Sequence, residues 1–166
     1  MRYVIDGFNL MYKFPECETL IYENQLGNAR RALLKNILKL NEVKKSYEFH
    51  IFFDGRKEKE SVVVRDEWEG MRLYYSHEIK ADDFIKMFIR KAIDHATITL
   101  VSSDKEIIHY GKKYGCKTIK SEDFYIFLGQ TLKKKEKLDE KDADINLSNT
   151  EVSYWLKMFK DKKNVG

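Results

Sequence analysis

Three aspartates each follow directly on a short apolar run: Asp6 closes YVID, Asp54 closes IFFD and Asp104 closes LVSSD. A fourth, Asp82, lies in KADDFIKMFIR. Carboxylates gathered without histidine or cysteine partners form an oxygen-only donor set, which suits hard cations such as Mg²⁺ or Mn²⁺. Such a cation activates water and stabilises a phosphoryl transition state, and two of them about 4 Å apart can clamp the attacking and leaving oxygens of phosphodiester hydrolysis. Asn9, three residues after Asp6, has an amide that can orient water or substrate, or simply hydrogen-bond its own loop; both readings stand at this point. Taken singly, each acid also has a structural reading, as a turn residue before Gly7 or Gly55, or as the cap of the helix that Asp104 opens. Taken together they are harder to explain structurally, because like charges converging on one edge cost folding energy unless a cation sits among them.

The elements that must position these acids can be read from periodicity. Strands are expected at 2–6, 47–53, 71–75, 97–101 and 116–119, and 62–68 is ambiguous. One long helix is expected within LIYENQLGNARRALLKNILKLNEVKK, and three more from ADDFIKMFIRKAID, DKEIIHYGKKYG and SEDFYIFLGQTLKKK. The alternation predicts an α/β fold on a mostly parallel sheet of about five strands. Right-handed crossovers then bring every strand's C-terminal end to one edge, where ligands usually bind. In the helix after position 80, Phe84, Ile85, Phe88, Ile89, Ala92 and Ile93 form one face. Its centre lies roughly 80° from Asp82 and roughly 180° from Asp83, so Asp82 borders the buried face and Asp83 faces away as a partner of the helix dipole. Glu106 is read as completing a capping box with Ser103 in preference to serving as an auxiliary acid.

The 166 residues, 43% hydrophobic, suit one compact domain. The formal charge of +4 is compatible with a polyanionic partner and decides little. Two cysteines without a C-x-x-C pair argue against a disulfide framework or a structural zinc. No run of 18 apolar residues suggests a membrane span, and a cytoplasmic location is expected. Neither G-x-x-x-x-G-K-[ST] nor G-x-G-x-x-G occurs, which disfavours a nucleotide-binding or small-molecule phosphatase reading. After Leu132 the run KKKEKLDEKDAD reads as a charged connector over 133–147. Ser148 and Glu151 then form a capping-box signature ahead of an apolar stripe at Val152, Trp155, Leu156 and Phe159, an amphipathic helix over 148–161. That stripe either docks on the body of the domain, the preferred reading, or meets a partner.

YVIDGFNLMYKFPE, IFFDG, KADDFIKMFIR and LVSSDKEI, in that order, resemble the NYN domains of the PIN-like ribonuclease superfamily, and most closely the YacP-like branch. The resemblance covers about positions 1–130 and places the main domain at 1–132. It implies a three-layer α/β/α PIN-like domain and a metal-dependent endoribonuclease of RNA decay or processing. It implies active-site positions at Asp6, Asn9, Asp82 and Asp104, with Mg²⁺ or Mn²⁺ held by Asp6, Asp82 and Asp104, and Asp54 as a further candidate ligand. Two positions depart from the family pattern: Lys80 stands where Thr is common and Lys105 where an aromatic residue is common. Both flank the acids, and with Arg56 and Lys57 they are candidates to bind the RNA phosphates. Lys59, Arg30 and Arg31 are further basic candidates, and Phe8, Tyr12 and Phe14 are candidates to stack on unpaired bases. The implied partner is RNA, with a ribosome as one candidate to present it; oligomeric state is not legible. The main rival is a catalytically weak or inactive RNA-binding module of a translation or decay complex, and a toxin-like PIN nuclease is a further one.

Overall fold

The computed structural model describes residues 1–55, 65–76 and 79–163; in the last helix, side chains are described to residue 143 and again over 152–158. Six strands, β1 (Arg2–Asp6), β2 (Glu48–Asp54), β3 (Arg65–Trp68), β4 (Met71–Ser76), β5 (Ile98–Val101) and β6 (Lys117–Ile119), form one sheet in the order β3-β4-β2-β1-β5-β6. Every neighbouring pair is parallel except β3 with β4. Five of these strands lie where the apolar runs predict them. The sixth, β3, comes from the ambiguous segment and joins β4 through Glu69 and Gly70, with φ of +49° and +75°. Two successive positive φ values make the tight turn that matches hairpin twist. As a partly exposed edge strand, Arg65–Trp68 has no apolar run to announce it.

Side chains alternate across the sheet, so Tyr3 and Ile5 face one side while Val4 and Asp6 face the other. The pairing of Ile5 with Ile51 and of Val4 with His50 carries the same alternation into β2. Val4, Phe52, Tyr74, Ile98 and Leu100 pack with Ile85 and Ile89 of α4 (Ala81–Lys91) and Ile107 of α5 (Lys105–Lys113). On the opposite face lie α1 (Gly7–Met11), α2 (Pro15–Tyr22), α3 (Leu26–Val43) and the start of α6 (Ser121–Lys163). There Leu10, Leu33, Ile37, Leu40 and Phe124 are fully buried, and the Phe124 ring lies 5.6 Å from Tyr3. Helices therefore cover both faces, giving the three expected layers.

Two expected elements differ. The long helix expected from residue 20 is two helices, because Asn24 adopts φ +57° and ends α2. Bonds from Gln25 N to Leu20 O (2.8 Å) and Asn24 N to Ile21 O (3.1 Å) close that end in the Schellman pattern. The connector expected over 133–147 is helical, and Ser148 starts no new helix, since α6 is continuous from Ser121 to Lys163. Lysine, glutamate and leucine are good helix formers, and no glycine or proline occurs between 130 and 163 to interrupt them. The chain divides into two compact units, 1–129 and 130–166. In the second, Val152, Trp155 and Leu156 are each more than half exposed. Among the described residues, no helix is long and apolar enough to cross a membrane.

The turn out of β1 depends on close approach. A Cβ on Gly7 would lie 2.6 Å from Phe53 Cε1 and 2.8 Å from the Phe52 carbonyl oxygen. Gly7→Ala should therefore lower stability by about 1–3 kcal/mol, the usual cost of overpacking. Gly129→Ala, where a Cβ meets nothing within 4 Å in a helix, should be neutral or slightly stabilising. Urea midpoints of the two variants against wild type check this, and equal midpoints for the two would refute it.

Candidate active site

Asp6 ends β1 on the α4 and α5 side of the sheet and is only 6% exposed. Its Oδ1 accepts from the Asn9 backbone N–H at 3.2 Å, and its Oδ2 accepts from the Ser102 hydroxyl at 3.1 Å. Ser102 follows β5, two residues beyond Leu100, and so points to the same side. Its oxygen also accepts from the Asp104 backbone N–H at 3.1 Å. One fully buried hydroxyl thus ties the end of β1 to the start of α5. Burial pushes the Asp6 carboxyl up from 3.8 to about 6, against the two hydrogen bonds that favour its charge, and the charges of Asp82 and Asp54 push the same way.

Asp82 sits partly buried in the first turn of α4, while Asp83 is exposed, as the helical geometry predicts. Burial raises the Asp82 carboxyl, and so do the charges of Asp104 and Asp54. Asp6, Asp54, Asp82 and Asp104 therefore share one electrostatic neighbourhood at the C-terminal sheet edge. Two of them have a structural task as well. Asp104 Oδ1 caps α5 by accepting from Glu106 N (2.8 Å) and Ile107 N (3.1 Å). Asp54 Oδ1 accepts from Ala81 N (2.8 Å) and the Ser76 hydroxyl (3.3 Å), capping α4 from a neighbouring strand. The capping box expected of Ser103 and Glu106 is absent, because Asp104 occupies the cap and Glu106 pairs with Lys86 at 2.5 Å.

Asn9 has the loop-bonding role on its carbonyl end. Its Oδ1 accepts from Ser103 N at 2.9 Å and from the Ser121 hydroxyl at 2.7 Å, which joins α1, the β5–α5 turn and the start of α6. Its Nδ2 group makes no hydrogen bond among the described residues and is the end left for water or substrate. Ser103 Oγ accepts from Ser121 N at 3.0 Å and donates to Glu122 at 2.5 Å, and Glu122 pairs with Lys13 at 2.7 Å. Hydrogen bonds from Lys13 and Ser103 hold the Glu122 carboxyl down at about 2. Ser102, Ser103 and Ser121 were not among the sequence candidates. The only signal of Ser102 and Ser103 was a pair of small hydroxyls between an apolar strand and an acid, and that of Ser121 a hydroxyl at the start of a helix.

The basic candidates divide. Lys80 and Lys105 are exposed at the N-termini of α4 and α5, beside Asp82 and Asp104. Arg30 does not join that rim. It is 7% exposed, donates to the Asp54 carbonyl at 2.6 Å and stacks over Phe53 and Tyr75 at 5.5 Å. Arg31 is exposed and donates to Asn28. Arg56, Lys57 and Lys59 lie outside the described residues. Phe14 is buried edge-on against Tyr125 and is not available for base stacking, whereas Phe8 is half-buried and Tyr12 exposed. The oxygen-only donors, with the carboxyls of Asp6 and Asp82 both raised, suit a hard dication in chemistry. Among the described residues no three acidic, histidine or cysteine side chains converge closely enough to hold one.

The sequence profile of the YacP-like NYN domain matches residues 3–160. The chain belongs to the YacP-like NYN family. That is a PIN-like nuclease family associated with RNA cleavage. The fold of this YacP-like domain is similar to two crystal structures of Rae1 (YacP) from Bacillus subtilis. The wild-type structure superposes with a TM-score of 0.67 at 16% identity, covering 99% of this chain and 95% of Rae1. A mutant of the same Rae1 superposes with a TM-score of 0.68 at 16% identity, covering 85% of this chain and 82% of the other. No curated protein matches this YacP-like chain by sequence.

The Asp6 carboxyl titrates at about 6 in the folded chain, against an ordinary value of 3.8, so the folded protein holds this proton more tightly than the unfolded chain does. Ionisation of Asp6 therefore opposes folding; the penalty is absent below about pH 4 and grows as pH rises through 6. In EDTA, Asp6→Asn should be more stable than wild type at pH 7.5 by about 1–3 kcal/mol, with the gain shrinking toward pH 4. Urea denaturation at both pH values measures this. A pH-independent difference would rule it out.

Proposed function

We propose that this chain is a divalent-metal-dependent endoribonuclease, acting on RNA in decay or processing in the cytoplasm, with residues 1–132 as its nuclease unit. The observation that carries the reading is the buried Asp6 carboxylate, fixed by Asn9 and Ser102 and facing the charges of Asp82 and Asp54. A binding-only surface has no use for negative charge where phosphate must approach. In this reading Asp6, Asp82 and Asp104 would hold Mg²⁺ or Mn²⁺ on drawing closer together than they stand here, with Asp54 supporting them. The cation supplies charge neutralisation for the phosphodiester and a more acidic attacking water. Asn9 has a positioning role through its clamped carbonyl and offers Nδ2 to water or substrate. Lys80 and Lys105, exposed beside the acids, bind RNA phosphate through their own charge. Arg56 and Lys57, outside the described residues, are further candidates for RNA phosphate by their charge, and a ribosome presents the substrate.

A second reading is a catalytically weak RNA-binding module. The observation that favours it is that both acids are already engaged: Asp104 accepts two hydrogen bonds as the cap of α5, and Asp54 accepts one as the cap of α4 and one from the Ser76 hydroxyl.

Labelled cellular RNA, incubated with wild type or with Asp6→Asn plus Asp82→Asn, in Mg²⁺, Mn²⁺ or EDTA, with and without ribosomes, separates the two. Cleavage should need the cation and fall at least about 100-fold in the double variant. Mn²⁺ should also raise the melting temperature of wild type and not of the variant. RNA binding that survives both substitutions, with no cleavage in any condition, would leave the binding module. Lys80→Ala with Lys105→Ala should make the slope of log affinity against log salt shallower by about 1.4, and an unchanged slope would remove both residues from the phosphate rim.

A further inference from the structure

The sheet face that carries Asp6 at one edge opens near its other edge into a separate hollow of about 600 Å³. Small-ligand pockets span about 300–1,000 Å³. Arg2, which begins β1, and Thr97, just before β5, mark its position at the start of these strands, four residues of β1 and about 13 Å from Asp6. The two sites sit at opposite ends of one face.

The lining of the hollow is two-sided. Arg2, Arg65, Arg72 and Lys91 contribute cations, and Asp94 is its one acid among the described residues. Arg72 and Arg2 pair with Glu48 at 2.6 and 3.4 Å, and Arg65 lies 6.0 Å over the Tyr74 ring. Setting Glu48, Asp94 and Glu67, which lies opposite Arg72 across β3 and β4, against the four cations leaves an excess of one positive charge. Across from them, Phe84, Met87, Phe88 and Ala92 of the α4 segment form an apolar wall. Phe84 and Phe88 are only half-buried.

Between the walls lies a floor with nothing more to offer a ligand. His50 Nε2 lies 2.9 Å from Glu48 and its Nδ1 lies 2.8 Å from the Tyr74 hydroxyl. Burial of the His50 ring opposes its protonation and outweighs the pull of Glu48. An ionised carboxylate only accepts, so Nε2 donates to Glu48 and Nδ1 accepts from Tyr74. A neutral imidazole has then spent both nitrogens, and recognition falls to the guanidinium groups. Arginine forks match phosphate oxygens in pairs, and aromatic walls take flat rings.

We propose that this hollow is a second ligand site that takes a nucleoside phosphate, with the phosphate against Arg2, Arg65, Arg72 and Lys91 and the base against Phe84 and Phe88. The same chemistry is met by a free nucleotide and by one nucleotide of an RNA strand. The site is independent of the nuclease reading, because no group in it belongs to the acidic edge.

Full-length Asp6→Asn protein in EDTA, which keeps this hollow and removes the proposed chemistry, is titrated calorimetrically with 5′-AMP and with inorganic phosphate, and by fluorescence anisotropy with a labelled deca-uridylate. 5′-AMP should bind saturably and at least tenfold tighter than phosphate. Arg2→Ala with Arg72→Ala should weaken it at least tenfold. Arg65→Ala with Lys91→Ala, two exposed residues that leave the Glu48 pairs intact, should weaken it at least threefold, which separates lost recognition from lost folding. If the oligonucleotide weakens in parallel in the same variants, the source is an RNA strand; if only 5′-AMP weakens, it is a free nucleotide. Failure of both 5′-AMP and the oligonucleotide to bind saturably, or binding that neither pair of substitutions changes, would overturn the proposal.

Discussion

The organisation of this molecule turns on holding carboxylates together at one sheet edge against their own repulsion. The Ser102 hydroxyl is the smallest group that can do this, donating to Asp6 while accepting from the Asp104 backbone. Around it, Asn9 Oδ1 gathers Ser103 and Ser121, and Asp54 accepts from the first N–H of α4. Each hydrogen bond contributes modestly, about 1 kcal/mol net, more where a charge takes part. Their joint effect is positional. β1, β5, α5 and α6 start or end on the Ser102 and Asn9 bonds, while β2 and α4 meet separately at Asp54, so the edge is held from several elements at once.

The parallel topology makes such a network available. With β1 central and flanked by β2 and β5, the ends of three strands lie side by side, and the period of two decides which side chains share a face. Asp6 continues the row of Val4, Ser102 the row of Ile98 and Leu100, and Asp54 the row of His50 and Phe52. A slip of one residue in any pair would turn its acid to the α3 face. Apolar packing of Val4, Phe52, Ile85 and Ile89 fixes that register and so aims the polar edge without touching it.

What could be read from the sequence follows the same division. Strands buried on both faces announce themselves as apolar runs, and an acid immediately after such a run is conspicuous, so Asp6, Asp54 and Asp104 were legible, as was the placement of Asp82 against Asp83 by helical angle. Groups that act through partners distant in sequence were not. Ser102 reaches Asp6 across 96 positions and Ser121 reaches Asn9 across 112. Arg30 looks like any surface cation on a helix until α3 is laid over Phe53 and Tyr75. Asn24 breaks a helical pattern by a backbone conformation that its neighbours in sequence do not require, and the lysine-rich run after Leu132 satisfies both a solvated connector and a solvated helix.

The acidic edge also has a simpler structural explanation, and magnitudes weigh against it. α4 carries Asp82 and Asp83 in its first turn and Arg90 and Lys91 in its last, and α5 opens on Asp104, all of which complement helix dipoles. Each such placement is worth about 0.3–1 kcal/mol and explains a surface acid well. Asp6 is different. It caps only the five-residue α1, yet the rise of its carboxyl to about 6 corresponds to roughly 3 kcal/mol lost at neutral pH. A serine or asparagine at the same position would cap as well without that loss. A net stability of about 5–15 kcal/mol leaves little room for a penalty of this size without a use for the charge. The capping acids can be explained by the fold alone, whereas helix capping does not explain the buried one.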